Sequence, residues 1–297
     1  MKSSSGGAFT ELASLWAEQN GVVIGAAFTE DHHYVHHIAC SGEDFSALRK
    51  SKYVFSDPEK TYTECRKYLE NGKKVVFCGT PCQIGGLVRF LGRHYDNLLT
   101  IDFICHGTPS IDILNAHLDW ISSGKSVTNV DFRSKAFGWR LYCLKVETES
   151  KDYLKNIYDD FYMYSFMRYS MLRECCYKCQ YSDGNHVSDI TIADFWGIKK
   201  MDPKYKEDKG VSLIIFNNSA HMDLVKKLHD TMILSDVQEK DYKYVYKTHL
   251  HYDIEERKKF FEEYHRSGWA YMAKKYYKGR TKRKIIRILK KISGAKS

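Results

Sequence analysis

Three cysteines fall within five positions of "RECCYKCQYS" (173–182): Cys175, Cys176 and Cys179. A disulfide, a zinc knuckle, a redox dithiol and an iron–sulfur ligand set all use such a stretch. A structural zinc site usually brings two C-x2-C pairs; here there is one, Cys176–Cys179, and no histidine follows it at finger spacing. A thioredoxin-like dithiol wants its pair at the start of a helix directly after a strand. This pair instead follows the helical "FMRYSMLRE" and precedes a polar loop. An iron–sulfur cluster needs four thiolates, and remote segments can supply them. Cys82 in "GTPCQ" and Cys105 in "CHGTP" each stand at a turn from strand to helix. Two turn cysteines plus one C-x2-C make a four-cysteine set, and spacing leaves a cluster and four-thiolate zinc equally open. Cys40, Cys65 and Cys143 lie among apolar or helical residues and read as buried thiols, with Cys78 and Cys175 as second choices for the set. In "HHYVHH" (32–37), strand alternation puts His32 and His36 on one face and His33 and His37 on the other, so the segment reads as a solvated hairpin.

The elements that must position these residues follow from periodicity. Phe9, Leu12, Leu15 and Trp16 recur at helical spacing over 8–18, and Gly21 stops the pattern. "GVVIGAAF" (21–28) reads as a strand paired with "YVHHIAC" (34–40). "KKVVFCGTPCQIGGLVRFL" (73–91) and "LLTIDFICHGTPSIDILNAHLDWI" (98–121) each give an apolar strand, a Gly-Thr-Pro turn and an amphipathic helix. This doubled unit signals a mostly parallel sheet, whose strand-to-helix turns crowd together at the carboxyl edge where ligands bind. A hairpin over 127–149, a helical segment over 158–172, strands over 189–196 and 210–217 and the helix "AHMDLVKKLHDTM" follow. The expected fold is α/β: a mostly parallel or mixed central sheet flanked by helices, with an inserted hairpin and a basic C-terminal helical tail. The expected division is a body over 1–270, with an N-terminal part to about 75 and a C-terminal part over about 76–240 plus helices, and a tail over 271–297.

With 297 residues, 43% of them hydrophobic, and a mean hydropathy of −0.49, the composition is that of a soluble globular chain with a sizeable core. No run of eighteen apolar residues occurs, and "MKSSSGGAFTELASLW" lacks a signal-peptide core, so a cytoplasmic location with reduced thiols is expected. Nine cysteines, an odd number, then argue for ligands or buried thiols rather than a disulfide frame. Eleven Lys or Arg and no acid lie between Lys274 and Ser297; taking those eleven from the net charge of +9 leaves residues 1–273 at −2. The body is near neutral, which argues against nucleic acid as its partner. In the tail, Ile285, Ile288, Leu289 and Ile292 fall at i, i+3, i+4 and i+7 among cations. Such a helix lies on an anionic membrane surface, each nearby cation contributing roughly 1 kcal/mol, or else docks on a partner or on the body.

Taken in order, "SSSGGAFT", "SKYVFS", "VVFCGTPCQIGGL", "DFICHGTPS", "DFRSKAFGW", "LRECCYKCQY" and "SDITIADFWGI" resemble the beta-subunit family of coenzyme F420 hydrogenases and dehydrogenases, from Ser3 to about Asn217. The resemblance implies an oxidoreductase that carries FAD and one 4Fe–4S cluster and passes electrons between a flavin-bound small-molecule donor or acceptor and a ferredoxin-like partner. Bacterial members look like stand-alone reductases associated with surface-polysaccharide synthesis. With no signal-peptide core and a basic tail, the expected location is the cytoplasm or, peripherally, the inner face of the membrane. Cys82, Cys105, Cys176 and Cys179 match the family's recurrent cysteines, and so iron is favoured over zinc. Many relatives carry an N-terminal ferredoxin-like module that is not found before "SSSGG", so either electrons come from a separate carrier or the sequence starts downstream in a longer natural product. His186 stands where the family favours Arg.

The flavin site is read more loosely. No GxGxxG follows a first strand, so a Rossmann-type site is not supported. Ser4, Ser5, Gly6 and Gly7 directly precede a helix, whose free N–H groups bind phosphate, although simple capping is as common. Lys52, Arg133 and Lys135 are candidate cations for a pyrophosphate or the flavin ring. Thr80 and Gln83 flank the Cys82 turn, and Asp194 and Trp196 end a strand; all four are taken as cofactor contacts. His106, beside Cys105, is the candidate proton donor. A rival from another class is a binding protein stabilised by four-cysteine zinc, with a basic tail for nucleic acid or anionic lipid.

Overall fold

The computed structural model describes residues 3–18, 20–42, 44–58, 60–198, 208–246 and 252–292, with the side chains of Tyr244 and 281–292 excepted. Four strands run parallel at its centre: β1 (Val22–Phe28), β3 (Val75–Cys78), β4 (Leu98–Phe103) and β8 (Ile190–Asp194). β2 (Val35–Ser41) and β9 (Ser212–Phe216) close the edges antiparallel, giving the order β2-β1-β3-β4-β8-β9. The short parallel strands are almost wholly apolar because helices cover both faces. Val23, Ala27, Val76 and Leu99 pack against α1 (Ala8–Ala17) and α6 (Asp223–Thr231). Val22, Ile24, Val75 and Phe77 point the other way, onto α2 (Thr61–Glu70) and α3 (Pro81–Leu91).

A second sheet, β5 (Val127–Ser134), β6 (Cys143–Thr148) and β7 (Tyr153–Asn156), is an antiparallel meander. It shares a core with α4 (Ile111–Ser122), α5 (Phe161–Met167) and the first part of α8 (Ile254–Ile292). α8 follows the short α7 (Glu239–Tyr242) and breaks at Gly268, whose φ of 73° lies in the left-handed region that glycine adopts without strain. Trp269 then enters the core and donates Nε1–H to His117 Nδ1 at 3.2 Å, while His117 Nε2 meets Asp160 Oδ2 at 2.9 Å. All three are buried, so the C-terminal helix is fastened by packing and by a satisfied polar network.

The α/β class, the doubled βα unit, the β1–β2 pairing and the inserted hairpin are as expected. The hairpin gains a third strand, β7, and the helix expected over 158–172 shortens to α5 because Tyr169 takes a positive φ of 58° and turns the chain. Cys65 and Cys143 are buried, but Cys40 is half-exposed because it lies near the end of an edge strand. The reading of "HHYVHH" as solvated fails at His37, which shares the inward face of β2 with buried Val35 and is 3% exposed. The tail's Ile285, Ile288, Leu289 and Ile292 fall outside the described side chains, although the backbone helix runs through Ile292. Among the described residues no helix is long and apolar enough to cross a membrane.

Candidate functional site

The carboxyl ends of β3, β4 and β8 open onto one cavity of about 590 Å³, larger than any single side chain and in the range of cofactor pockets. Its walls come from the turns at 78–80 and 103–108, the strand end at 192–196, the chain start at 3–10, the loop after β2, and the β5–β6 hairpin. Of the predicted cofactor contacts, Ser4, Ser5, Gly7, Lys52, Thr80, Gln83, Arg133, Asp194 and Trp196 line it, as do His106 and Cys105. Gly6 and Lys135 do not. Gly6 N donates to Ser212 Oγ at 2.9 Å, and Lys135 Nζ donates to the carbonyls of Ser5 (3.3 Å) and Lys209 (2.7 Å). Both therefore fasten the chain start to its neighbours rather than face a ligand.

The start of α1 is not capped by its own serines. Gly7 occupies the cap position at φ 97° without a side-chain bond. Ser4 Oγ instead accepts from Ser51 N (3.0 Å), and Ser5 Oγ donates to Val211 O (2.8 Å). The serines thus pin the segment to two loops, while Ala8, Phe9 and Thr10 bring the first helical turn to the cavity wall. That turn carries the N–H groups an anion requires.

Arg133, on β5, is buried, with its guanidinium 3.9 Å from the Tyr142 ring centre and 5.3 Å from that of Trp196. Its Nη1 donates to Tyr53 Oη at 3.2 Å and its Nη2 lies 3.0 Å from Asp194 Oδ2. Burial by itself would lower its pKa, but Tyr53, Asp194 and Tyr142 outweigh that and hold the guanidinium charged above its usual range. The Arg133 Nε and Nη2 atoms still lack a hydrogen bond of good geometry, because the close approach to Asp194 is out of line. Trp196 stacks on Trp139 at 4.3 Å and 13° and remains 38% exposed, so it both packs and presents an edge to the cavity. Lys52 is half-buried and donates Nζ to the carbonyls of Ala47 (2.9 Å) and Arg49 (2.7 Å). Desolvation lowers it to about 7, with Lys50 adding to the shift and Cys78 and Asp131 opposing it.

The cysteine set converges on the same edge. Pro81 opens α3 behind a capping box in which Gln83 Oε1 accepts from Thr80 N (2.9 Å), leaving Cys82 exposed at the second helical position. Gln83 also donates Nε2 to Ser56 O at 2.7 Å, so its polar atoms are committed to holding the turn. Thr80 Oγ1 lies 3.1 Å from Cys82 Sγ. Cys105 Sγ accepts from Gly107 N at 3.4 Å, and Gly107 needs to be glycine twice over. Its φ is 86°, and a Cβ there would stand 2.5 Å from Leu172 Cδ1 and 3.2 Å from Cys176 Cβ. The turn bearing Cys175 and Cys176 docks on that loop through Arg173 N, which donates to Thr108 O at 2.9 Å. Tyr181, two residues past Cys179, seats the loop on α3, and a Cβ at Gly85 would stand 2.1 Å from its hydroxyl.

Burial raises the Cys105 thiol well above the ordinary range, and the charges of Cys176, Cys82 and Cys179 push it the same way. Cys179 is raised by burial and also feels Cys82. The four thiols are therefore electrostatic neighbours. Among the described residues, however, no three His, Cys, Asp or Glu side chains stand in an arrangement that would hold a metal ion. Two of these thiols stand at strand-to-helix turns and two in the 174–179 segment. His106, exposed at the cavity rim, has its Nδ1 3.3 Å from Tyr169 Oη. His186 is set against buried Asp102 of β4, Nδ1 to Oδ2 at 2.7 Å, with Thr191 donating to the other carboxylate oxygen.

Several lining residues lay beyond the sequence reading, Tyr53, Arg140, Tyr142 and Tyr169, and His37, read there as solvated, joins them. Tyr53 lay inside "SKYVFS", and Arg140 and Tyr142 inside the 127–149 hairpin, without being singled out. The signal for His37 was its place two residues from Val35, on the inward face of β2.

The fold is a mixed α/β sheet with a cavity at the carboxyl edge of its parallel strands. Residues 72–241 match the model for the C terminus of the "Coenzyme F420 hydrogenase/dehydrogenase, beta subunit" family, and the chain belongs to that family of oxidoreductases. The fold is also similar to a solved structure of the F420-reducing [NiFe] hydrogenase complex from Methanosarcina barkeri: 16% identity, a TM-score of 0.55, and coverage of 88% of this chain and 86% of that one. No curated protein matches the chain.

Proposed function

We propose that the chain is an FAD-dependent iron–sulfur oxidoreductase. It passes electrons between a small-molecule donor or acceptor and a ferredoxin-like carrier, in bacteria as a reductase for surface-polysaccharide synthesis. The observation that carries this reading is the shared wall: the 103–108 turn lines the cavity and also holds Cys105 among the other thiols. FAD and a 4Fe–4S cluster, when bound, supply exchange between two-electron and one-electron transfer. Cys82, Cys105, Cys176 and Cys179 would hold the cluster. The first turn of α1 and Lys52 would take the anionic end of the flavin, and Arg133, Tyr142 and Trp196 would hold its ring. Asp194 keeps Arg133 in place, Thr80 keeps the Cys82 turn in place, and His106 stands at the rim to give or take a proton from substrate. The chain is expected to yield a coloured protein on anaerobic purification, with iron and stoichiometric FAD released on denaturation. A colourless protein containing zinc, without iron or flavin, contradicts the proposal.

A further inference from the structure

Among the described residues, His37 is a buried, cavity-lining imidazole, 3% exposed, with neither Nδ1 nor Nε2 hydrogen-bonded. Such an orphaned group costs stability unless something else satisfies it. The ring is held rather than loose. It lies 5.5 Å from the Phe77 ring at 18°, and its own backbone N–H donates to Asp57 O at 2.7 Å. Gly79 faces it so closely that a Cβ there would stand 3.3 Å from Nε2.

The chemistry of the missing partner follows from the neighbours. The carbonyls of Cys78 and Asp57 and the Asp57 carboxylate act on the ring, and all are acceptors. Burial lowers the imidazole to about 4, so it is neutral at ordinary pH and carries one N–H and one lone pair. A small rotation could give the N–H to one of the carbonyls. None of those acceptors can serve the lone pair, which is left for an N–H or O–H of a molecule in the cavity.

We infer that His37 is a ligand-contacting residue of the cavity, accepting a hydrogen bond from an N–H or O–H group of the bound molecule. The residue sets specificity, because a ligand that offers only acceptors there leaves the lone pair buried and unmatched. The inference rests on the cavity being the FAD site proposed above only for the choice of probe.

The test compares wild type, His37→Phe and His37→Gln by thermal melting without ligand and by FAD titration. A residue that serves a ligand rather than the fold costs nothing to remove from the empty protein. His37→Phe should then melt at or above the wild-type temperature, yet bind FAD about tenfold more weakly. His37→Gln, which keeps a donor and an acceptor, should bind within about threefold of wild type. If His37→Phe melts well below wild type while His37→Gln does not, the imidazole is a structural bond and the inference is overturned. Unchanged FAD affinity in His37→Phe overturns it as well. If the wild type itself fails to bind FAD, the flavin reading falls, and the melting comparison alone decides the role of His37.

Discussion

At the scale of single residues, the cavity combines a buried permanent cation with one that titrates near neutrality. Arg133 stays charged because Tyr53, Asp194 and Tyr142 surround it. Lys52 is lowered to about 7 by desolvation, with Lys50, Cys78 and Asp131 as its charged or titratable neighbours. An anionic ligand binds the protonated amine better, so binding above that pKa must take up a proton. FAD affinity should therefore be full below about pH 6 and fall roughly tenfold as pH rises through about 7 toward 9. Lys52→Met should bind weakly at every pH and lose this dependence. Titration of both proteins by flavin fluorescence checks the claim; a pH-dependent loss that persists in Lys52→Met would place its origin elsewhere. The sequence offered Lys52 as one cation among many, and burial, which no local pattern reveals, is what singles it out. Lys135 shows the converse: the same motif, "DFRSKAFGW", carries one cation into the cavity and one into a structural brace.

At the scale of elements, what periodicity can report was legible. β3, α3, β4 and α4 are strongly patterned, and their turns place Cys82 and Cys105 where the doubled βα unit says they must be. α2 is harder to read because only Thr61, Cys65 and Leu69 are buried, a stripe too polar to stand out. β7 is harder still, as it has four residues and no buried position. The C-terminal helix draws its hold on the body from Trp269 and Tyr277, partners set by tertiary packing far from them in sequence. Beyond Arg280, which pairs with Asp159, its backbone continues as a helix to Ile292. We further propose that the repeated Lys and Arg of that last stretch, with Ile285, Ile288, Leu289 and Ile292 at helical spacing, take an anionic lipid surface rather than a partner protein. The full chain should float with vesicles containing phosphatidylglycerol and stay in solution with neutral phosphatidylcholine vesicles or in high salt. Equal recovery with both lipids, or none with either, would rule that role out.

At the scale of the whole molecule, the two sheets divide the work. The parallel sheet supplies stiff turns for Cys82 and Cys105, and the hairpin sheet lays Arg133, Arg140 and Tyr142 over its carboxyl edge. The cavity draws its walls from both sheets and from loops between their strands, which is why its aromatic lining could not be read from any one sequence segment. The cysteine loop closes the same edge, seated by Gly107 against Cys176 and by Tyr181 against Gly85. Those contacts make one arrangement of a ligand cavity and four thiols, and the claim that matters most is that the thiols bind iron. The most direct test is iron content after anaerobic purification of wild type, Cys179→Ser and Cys65→Ser, read by metal analysis and visible absorption. Cys179→Ser should lose its iron and colour, while Cys65→Ser, altered at a thiol on the buried face of α2, should retain both. Equal iron in all three proteins, or zinc in place of iron, would contradict the account.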